Sequence, residues 1–253
     1  MTSHHDYQLN YQKLSFEDEL RKFRMSYVAN YLKTVKSAKI LEIGCGNDPI
    51  HLYFNEFEVL DLIEPGQHFY EYTKTMIAQD SRISIQNCFL EDAVLPDNNH
   101  YDVIIIGGFL HEIDNPEIVL DFVKNIANAQ TIVITYVPNA NSFHRLLALE
   151  SGLIKSNYEF SQNDKAFGRR HVFNLQSIQS LFQQCGFICV NTDTYFIKPF
   201  THGQMNELME SSFLSEELLI GLNKMSQYLP DMGCEIFLSA RISDKIIDSL
   251  LIN

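Results

Sequence analysis

Lys39-Ile40-Leu41-Glu42-Ile43-Gly44-Cys45-Gly46-Asn47-Asp48-Pro49 decides the fold. A short β-prone run leads into two glycines one residue apart. Without a Cβ, Gly44 and Gly46 let the backbone turn tightly and approach a ligand closely. Asp48 then stands where a helix N-cap belongs, with Pro49 at the first helical position. In a dinucleotide fingerprint, G-x-G-x-x-G, the third glycine would fall at Pro49, just after the acid Asp48 at the helix start. A carboxylate there would occupy the helix-start amides and repel a pyrophosphate. The turn therefore predicts a nucleoside ligand without pyrophosphate and disfavours NAD, FAD and nucleoside triphosphates.

Outward from this turn, strand-like runs over 39–43, 58–63, 82–86, 101–106 and 131–137 alternate with amphipathic helical segments, including 67–78 and 116–127. Such alternation predicts an α/β fold with a parallel sheet covered on both faces. Val103-Ile104-Ile105-Ile106 is continuously apolar, as a central strand buried on both faces must be. The helix over 177–184 should stop at Cys185-Gly186, with Gly186 in the helix-ending position. Runs at 187–190 and 236–240 could extend the sheet. Phe16–Thr34 reads as a helix on the flank and Tyr158–Arg170 as a long polar loop. A further helical stretch is expected over 206–228.

At the tip of the second strand, Glu64-Pro65-Gly66 places an acid 22 positions after Glu42. That position suits a carboxylate accepting hydrogen bonds from both ribose hydroxyls. The alternative is a surface turn residue before proline. With these residues in place the chain resembles the class I S-adenosylmethionine-dependent methyltransferases over roughly residues 37–190. Glu42-x-Gly44-x-Gly46 looks like their first motif, and Glu64 like their ribose acid. Phe89-Leu90-Glu91-Asp92 is similar to their adenine segment, and Tyr101-Asp102-Val103-Ile104 to their fourth strand. The loop Leu110-His111-Glu112-Ile113-Asp114-Asn115-Pro116 follows that strand.

The resemblance implies a Rossmann-like doubly wound, mostly parallel seven-stranded sheet with S-adenosylmethionine as cofactor. It also implies that Glu42 holds the methionine amino group, usually through water. Gly44, Cys45, Gly46 and Phe109 would lie along the cofactor, Glu64 and Pro65 at the ribose, and Phe89, Leu90 and Glu91 at the adenine. The expected organisation is a helical flank over 1–36, the cofactor domain over 37–198 with an acceptor lid over 139–171, and an extension over 199–253.

Composition narrows the partners. The 253 residues carry 32 acids against 19 bases, a formal charge of −13, so a nucleic acid or an anionic bilayer is not an expected partner. Five cysteines without CxxC or zinc spacing indicate free thiols in a reducing compartment and no metal. The absence of a signal-like N-terminus or membrane-length apolar run favours a cytoplasmic protein, a monomer or homodimer.

For the reaction, a hydroxyl acceptor would profit from a histidine base. Of nine histidines, His4, His5 and His100 lie in polar segments. His111 follows the fourth strand, His144-Arg145 follow the fifth, and His171 ends the polar loop. His171 is the first candidate base and His144 the second. Arg145 and Asn141 are candidate acceptor contacts, Arg145 alternatively pairing with an acid of the lid. Residues 137–199, from Val137-Pro138-Asn139 and His144-Arg145 to Gly186-Phe187 and Lys198-Pro199, resemble methyltransferases of bacterial surface-polysaccharide and sugar modification. That resemblance implies O-methylation of a sugar or phosphorylated glycan precursor. Transfer to nitrogen, a non-catalytic cofactor-fold subunit and a nucleotide-dependent dehydrogenase are the competing classes.

Overall fold

The computed structural model describes residues 15–95, 101–161, 164–165 and 168–243. His4, His5 and His100 lie outside them. The chain forms a seven-stranded sheet in the order β3-β2-β1-β4-β5-β7-β6. Its strands are β1 (Lys39–Ile43), β2 (Val59–Ile63), β3 (Ile83–Gln86), β4 (Val103–Ile106), β5 (Ile132–Pro138), β6 (Phe187–Tyr195) and β7 (Glu235–Ile242). The first five are parallel, and β7 inserts antiparallel between β5 and β6. The α/β reading and the doubly wound architecture both hold.

Strand geometry explains why β4 must be apolar throughout. Successive side chains point to opposite faces. Val103 and Ile105 enter one core with Ile40, Leu60 and Ile134, while Ile104 and Ile106 enter the other with Leu41, Ile43 and Val133. The first core is covered by α1 (Ser15–Leu32), through Phe16, Leu20, Met25 and Val28. The second is covered by α3 (Pro116–Ile126) through Leu120 and Val123, and by α5 (Leu175–Gln184) through Ile178, Leu181 and Phe182. Helix α2 (Gln67–Ile77) follows β2. Asn174 and Ser177 form a reciprocal capping box at the start of α5, and Gly186, at φ 89°, ends it as expected.

Two segments depart from the sequence expectation. The glycine turn leads into a single 3-10 turn, Ile50–Leu52, whose N-cap is Pro49. Asp48 caps no helix. Its carboxylate lies 2.8 Å from Arg21 Nε of α1, which neutralises it. The stretch 206–228 is not one helix either. It divides into α6 (His202–Glu210) and α7 (Glu216–Lys224), because Thr201 caps the first and Ser215 the second, with Ser212 left-handed between them. The lid region also holds a helix, α4 (Phe143–Glu150). Among the described residues, no helix is long and apolar enough to cross a membrane. The five cysteines are free thiols.

Candidate active site

Ligands of open α/β sheets bind beyond the carboxyl ends of the strands. Here the adjacent ends of β1, β4 and β5 are pressed together at glycines. A Cβ on Gly107 would lie 2.2 Å from Gly44 O, and one on Gly108 would lie 2.8 Å from the Tyr136 ring. Gly44 and Gly46 adopt φ of 74° and 56°, and the Phe109 ring lies directly over Gly44. Cys45, between them, is buried, and burial pushes its thiol well above the ordinary value. It is therefore a small packed residue with no nucleophilic character.

Two acids flank the turn. Glu42 is fully buried at the end of β1. Its Oε2 accepts from Ile50 N–H at 2.9 Å, whereas Oε1 is enclosed without a hydrogen-bond partner. Burial pushes its pKa up to about 8, only partly offset by the Ile50 amide and reinforced by Glu64 and Asp48. Glu64 spans the turn, one oxygen accepting from Gly46 N–H and the other from Gly66 N–H, both at 2.8 Å. Asn87 Nδ2 donates to the carbonyls of Glu64 and Pro65 and holds the end of β3 alongside. Next to it stand the half-exposed Phe89, the buried Leu90 and the exposed Glu91.

An orphaned buried carboxylate oxygen, a second acid at the glycine turn and an apolar pair fit S-adenosylmethionine. Its ammonium would meet Glu42, its ribose Glu64 and its adenine Phe89 and Leu90.

On the other side of Gly108 opens a cavity of about 520 Å³. Its walls come from the ends of β4 and β5, helix α4, the lid, α1, the corner at 198–203 and the start of β7. The segment expected as an acceptor lid closes at its base. Asn139 pairs with Phe173, and Ala140 N–H donates to Phe173 O at 2.7 Å, so its two ends meet. Asp164 is its inner knot. It accepts from Ser161 N–H at 2.7 Å and Arg169 Nη1 at 2.5 Å, with Arg145 Nη1 at 3.5 Å.

The structure brings His111, His144, His171 and Arg145 into this one cavity. Arg145 is committed to the lid, donating to the carbonyls of Asn157, at 2.8 Å, and Glu159, besides facing Asp164. Of its two expected roles this is the ion pair with a lid acid. Asn141 is also occupied, accepting from Asn157 Nδ2 at 2.7 Å, and does not line the cavity. His171 stacks on Phe173, and its Nε2 lies 3.3 Å from Asp114 O, which makes that nitrogen the donor. Burial, with the nearby cations, pushes His111 and His144 well below the ordinary imidazole value, so both are neutral.

Several cavity residues escaped sequence reasoning: Glu17, Arg24, Lys198, His202 and Glu235. Glu17 and Arg24 are seven apart on α1 with the buried Leu20 between them, so two charges sit within an apolar stripe. That pattern was the available signal. Lys198 appeared in the sequence only as part of the Lys198-Pro199 resemblance, and no local pattern placed it or His202 in a site.

The methyltransferase-domain family matches residues 11–192. A search of curated proteins finds no match to the chain. Among solved structures, the plantazolicin methyltransferase BamL, in complex with a triazolic desmethylPZN analog and SAH, is 14% identical with a TM-score of 0.59, over 94% of this chain and 90% of that one. Its counterpart BpumL, in complex with SAH, is 17% identical with a TM-score of 0.54, over 88% and 84%. The N-methyltransferase NodS from Bradyrhizobium japonicum WM9 is 9% identical with a TM-score of 0.53, over 90% and 97%. These likenesses establish a shared fold, and the family match spans most of the chain. The chain belongs to the methyltransferase-domain family and is a class I S-adenosylmethionine-dependent methyltransferase.

Proposed function

We propose that the enzyme transfers the methyl group to a hydroxyl oxygen of a small, sugar-like acceptor, such as a surface-glycan precursor, held in the cavity beneath the lid. The observation that carries this is the cavity itself. Its volume of about 520 Å³ suits a small molecule, since ligand pockets run to roughly 300–1,000 Å³. Its wall is polar but balanced. Arg24, Arg145 and Arg169 face Glu17, Glu235 and Asp164, and the buried imidazoles are neutral. Such a wall recognises hydroxyls by hydrogen bonds and offers a sparse welcome to a second formal charge.

In this reading Glu42 receives the ammonium of S-adenosylmethionine and Glu64 its ribose hydroxyls. Phe89, Leu90 and Glu91 bound the adenine, while Gly44, Cys45, Gly46, Pro65 and Phe109 line its path. When bound, the cofactor supplies an electrophilic methyl group, and alignment is the protein's main contribution. His111, His144 and His171 shape the acceptor's side of the cavity. The lid, knotted at Asp164, excludes water from it.

The test is a panel of neutral sugars, sugar nucleotides, phosphorylated glycan precursors and matched amino sugars, incubated with cofactor and read by mass and by the position of the new methyl. An O-methyl product supports the proposal. Methylation of the amines alone would replace it with N-transfer.

A further inference from the structure

We propose that Lys198 is the general base of the reaction, its Nζ taking the acceptor's hydroxyl proton, and that His202 and Glu17 position it. The assignment rests on the O-transfer reading and names the group that the reading requires. Lys198 lies at the end of the chain's passage from β6 to α6, is 5% exposed and lines the cavity. Among the described residues, its Nζ makes one hydrogen bond, to His202 Nδ1 at 2.8 Å. His202 Nε2 in turn lies 2.7 Å from Glu17 Oε2.

This order fixes the protons. An anionic Glu17 accepts Nε2–H, so neutral His202 presents its Nδ1 lone pair to a donor N–H of Lys198. The amine is thereby turned so that its own lone pair points away from His202. The alignment is rigid at each link. Glu17 is also paired with Arg24 at 3.3 Å, and the His202 ring packs edge-on against Phe16 at 5.2 Å.

The environment sets the base strength. Burial lowers the Lys198 pKa, with Arg169 acting the same way and Cys234, Glu17 and Glu235 opposing. His202 and His144 also face it, the first from α6 and the second from α4. Burial pushes Glu17 up, but the His202 hydrogen bond and the Arg24 charge outweigh it and hold the carboxyl down at about 2. The rival bases are worse placed. His111 and His144 are pushed so low that they bind a proton weakly, and His171 gives its Nε2–H to Asp114 O and stacks on Phe173, which leaves Nδ1 as its one lone pair.

The step balances without a further reactant. The acceptor oxygen forms a bond to the methyl carbon, and the carbon–sulfur bond breaks with its electron pair returning to sulfur. The hydroxyl proton passes to Nζ, leaving an ether, a thioether and an ammonium.

Three measurements test the assignment. Titration of the Lys198 Nζ by ¹⁵N NMR, assigned through Lys198→Arg, should give a midpoint below the ordinary lysine value of about 10.4. In Glu17→Gln the lost negative charge should lower that midpoint further. The acid limb of the turnover profile should move to lower pH by the same amount, a coupled shift that a merely structural role would not produce. Lys198→Met and Lys198→Arg should both lose roughly 100-fold or more in kcat, the scale of general-base catalysis, while S-adenosylhomocysteine affinity stays within about threefold.

Arginine keeps the cation without a usable lone pair, so substantial turnover by Lys198→Arg would overturn the assignment. So would an ordinary lysine midpoint in the wild-type protein, whatever the acceptor. A screen yielding amine acceptors alone would defeat the O-transfer reading separately.

Discussion

Replacing Glu42 by Gln should stabilise the cofactor-free protein at neutral and alkaline pH while weakening cofactor binding. The carboxyl is fully buried, with a pKa raised from 4.5 to about 8. Between those two values the unfolded chain has lost this proton and the native chain keeps it. The native state therefore binds more protons, and stability falls as pH rises, by about 1.4 kcal/mol per pH unit. Integrated from 4.5 towards about 8, the loss attributable to Glu42 is about 3 kcal/mol by pH 7 and about 5 kcal/mol once pH exceeds 8, where both states are ionised. The substituted amide would still accept from Ile50 N–H through its carbonyl oxygen and would carry no charge.

Urea unfolding of both proteins from pH 5 to pH 9 measures the effect. The buried histidines contribute to each profile alike, so the difference between the profiles isolates position 42. It should widen steadily with pH and then level off above about 8. Saturating S-adenosylhomocysteine should narrow that difference, because its ammonium meets an anion in the wild type only. A charge-assisted hydrogen bond of about 1.5–3 kcal/mol corresponds to roughly 10- to 100-fold weaker binding by the variant. Parallel stability profiles, or equal affinity for the ligand, would refute the reasoning.

Gly107→Ala should destabilise the fold by several kcal/mol or abolish it, because its Cβ would lie 2.2 Å from Gly44 O. Gly46→Ala meets nothing within 4 Å and should cost only about 1–2 kcal/mol for its left-handed φ, a contrast that thermal unfolding would show. Arg24→Met leaves Glu235 and Glu17 with an uncompensated buried charge and should cost about 3–5 kcal/mol in denaturant unfolding. Asp164→Ala unties Arg145, Arg169 and Ser161 and should speed proteolysis within 139–171 and raise the acceptor KM about tenfold, with S-adenosylhomocysteine affinity unchanged.

Local features made the candidate cofactor half of the site legible. Glu42, Gly44, Gly46 and Glu64 lie at or next to the ends of two strands whose apolar runs are unmistakable, and the parallel register brings those ends together. The acceptor half depends on contacts that no local pattern announces. Lys198 and Glu17 are 181 positions apart, and they meet only because β7 inserts between β5 and β6 and α1 crosses that end of the sheet. Arg24 to Glu235, Tyr27 to Asp193 and Tyr31 to Ser239 then pin the helix to β6 and β7. Asp48 misled for a related reason. Its place before Pro49 matches a helix cap, but the partner that claims its carboxylate, Arg21, comes from α1. Arg145 looked available for an anion because the acid that pairs with it, Asp164, lies within a loop that has no periodicity to place it.

The acidic balance of the chain acquires a direction at the carboxyl edge of the sheet. Glu42 and Glu64 gather on the candidate cofactor side, where a sulfonium and an ammonium would bring positive charge, while Asp48 beside them is paired with Arg21. In the proposed O-transfer, loss of the methyl removes the sulfonium charge, and the acceptor's proton, once on Lys198 Nζ, would place a positive charge in the cavity instead. Glu17 and Glu235 both raise the affinity of that amine for the proton, and Glu17 reaches it through His202. A cavity without these acids would hold an unpaired ammonium in a dry site, at a cost of several kcal/mol. The carboxylates buried around the cavity are thus best understood as counter-charges for the protonated state of the proposed base, and their pairing with Arg24 moderates the potential they place on the amine.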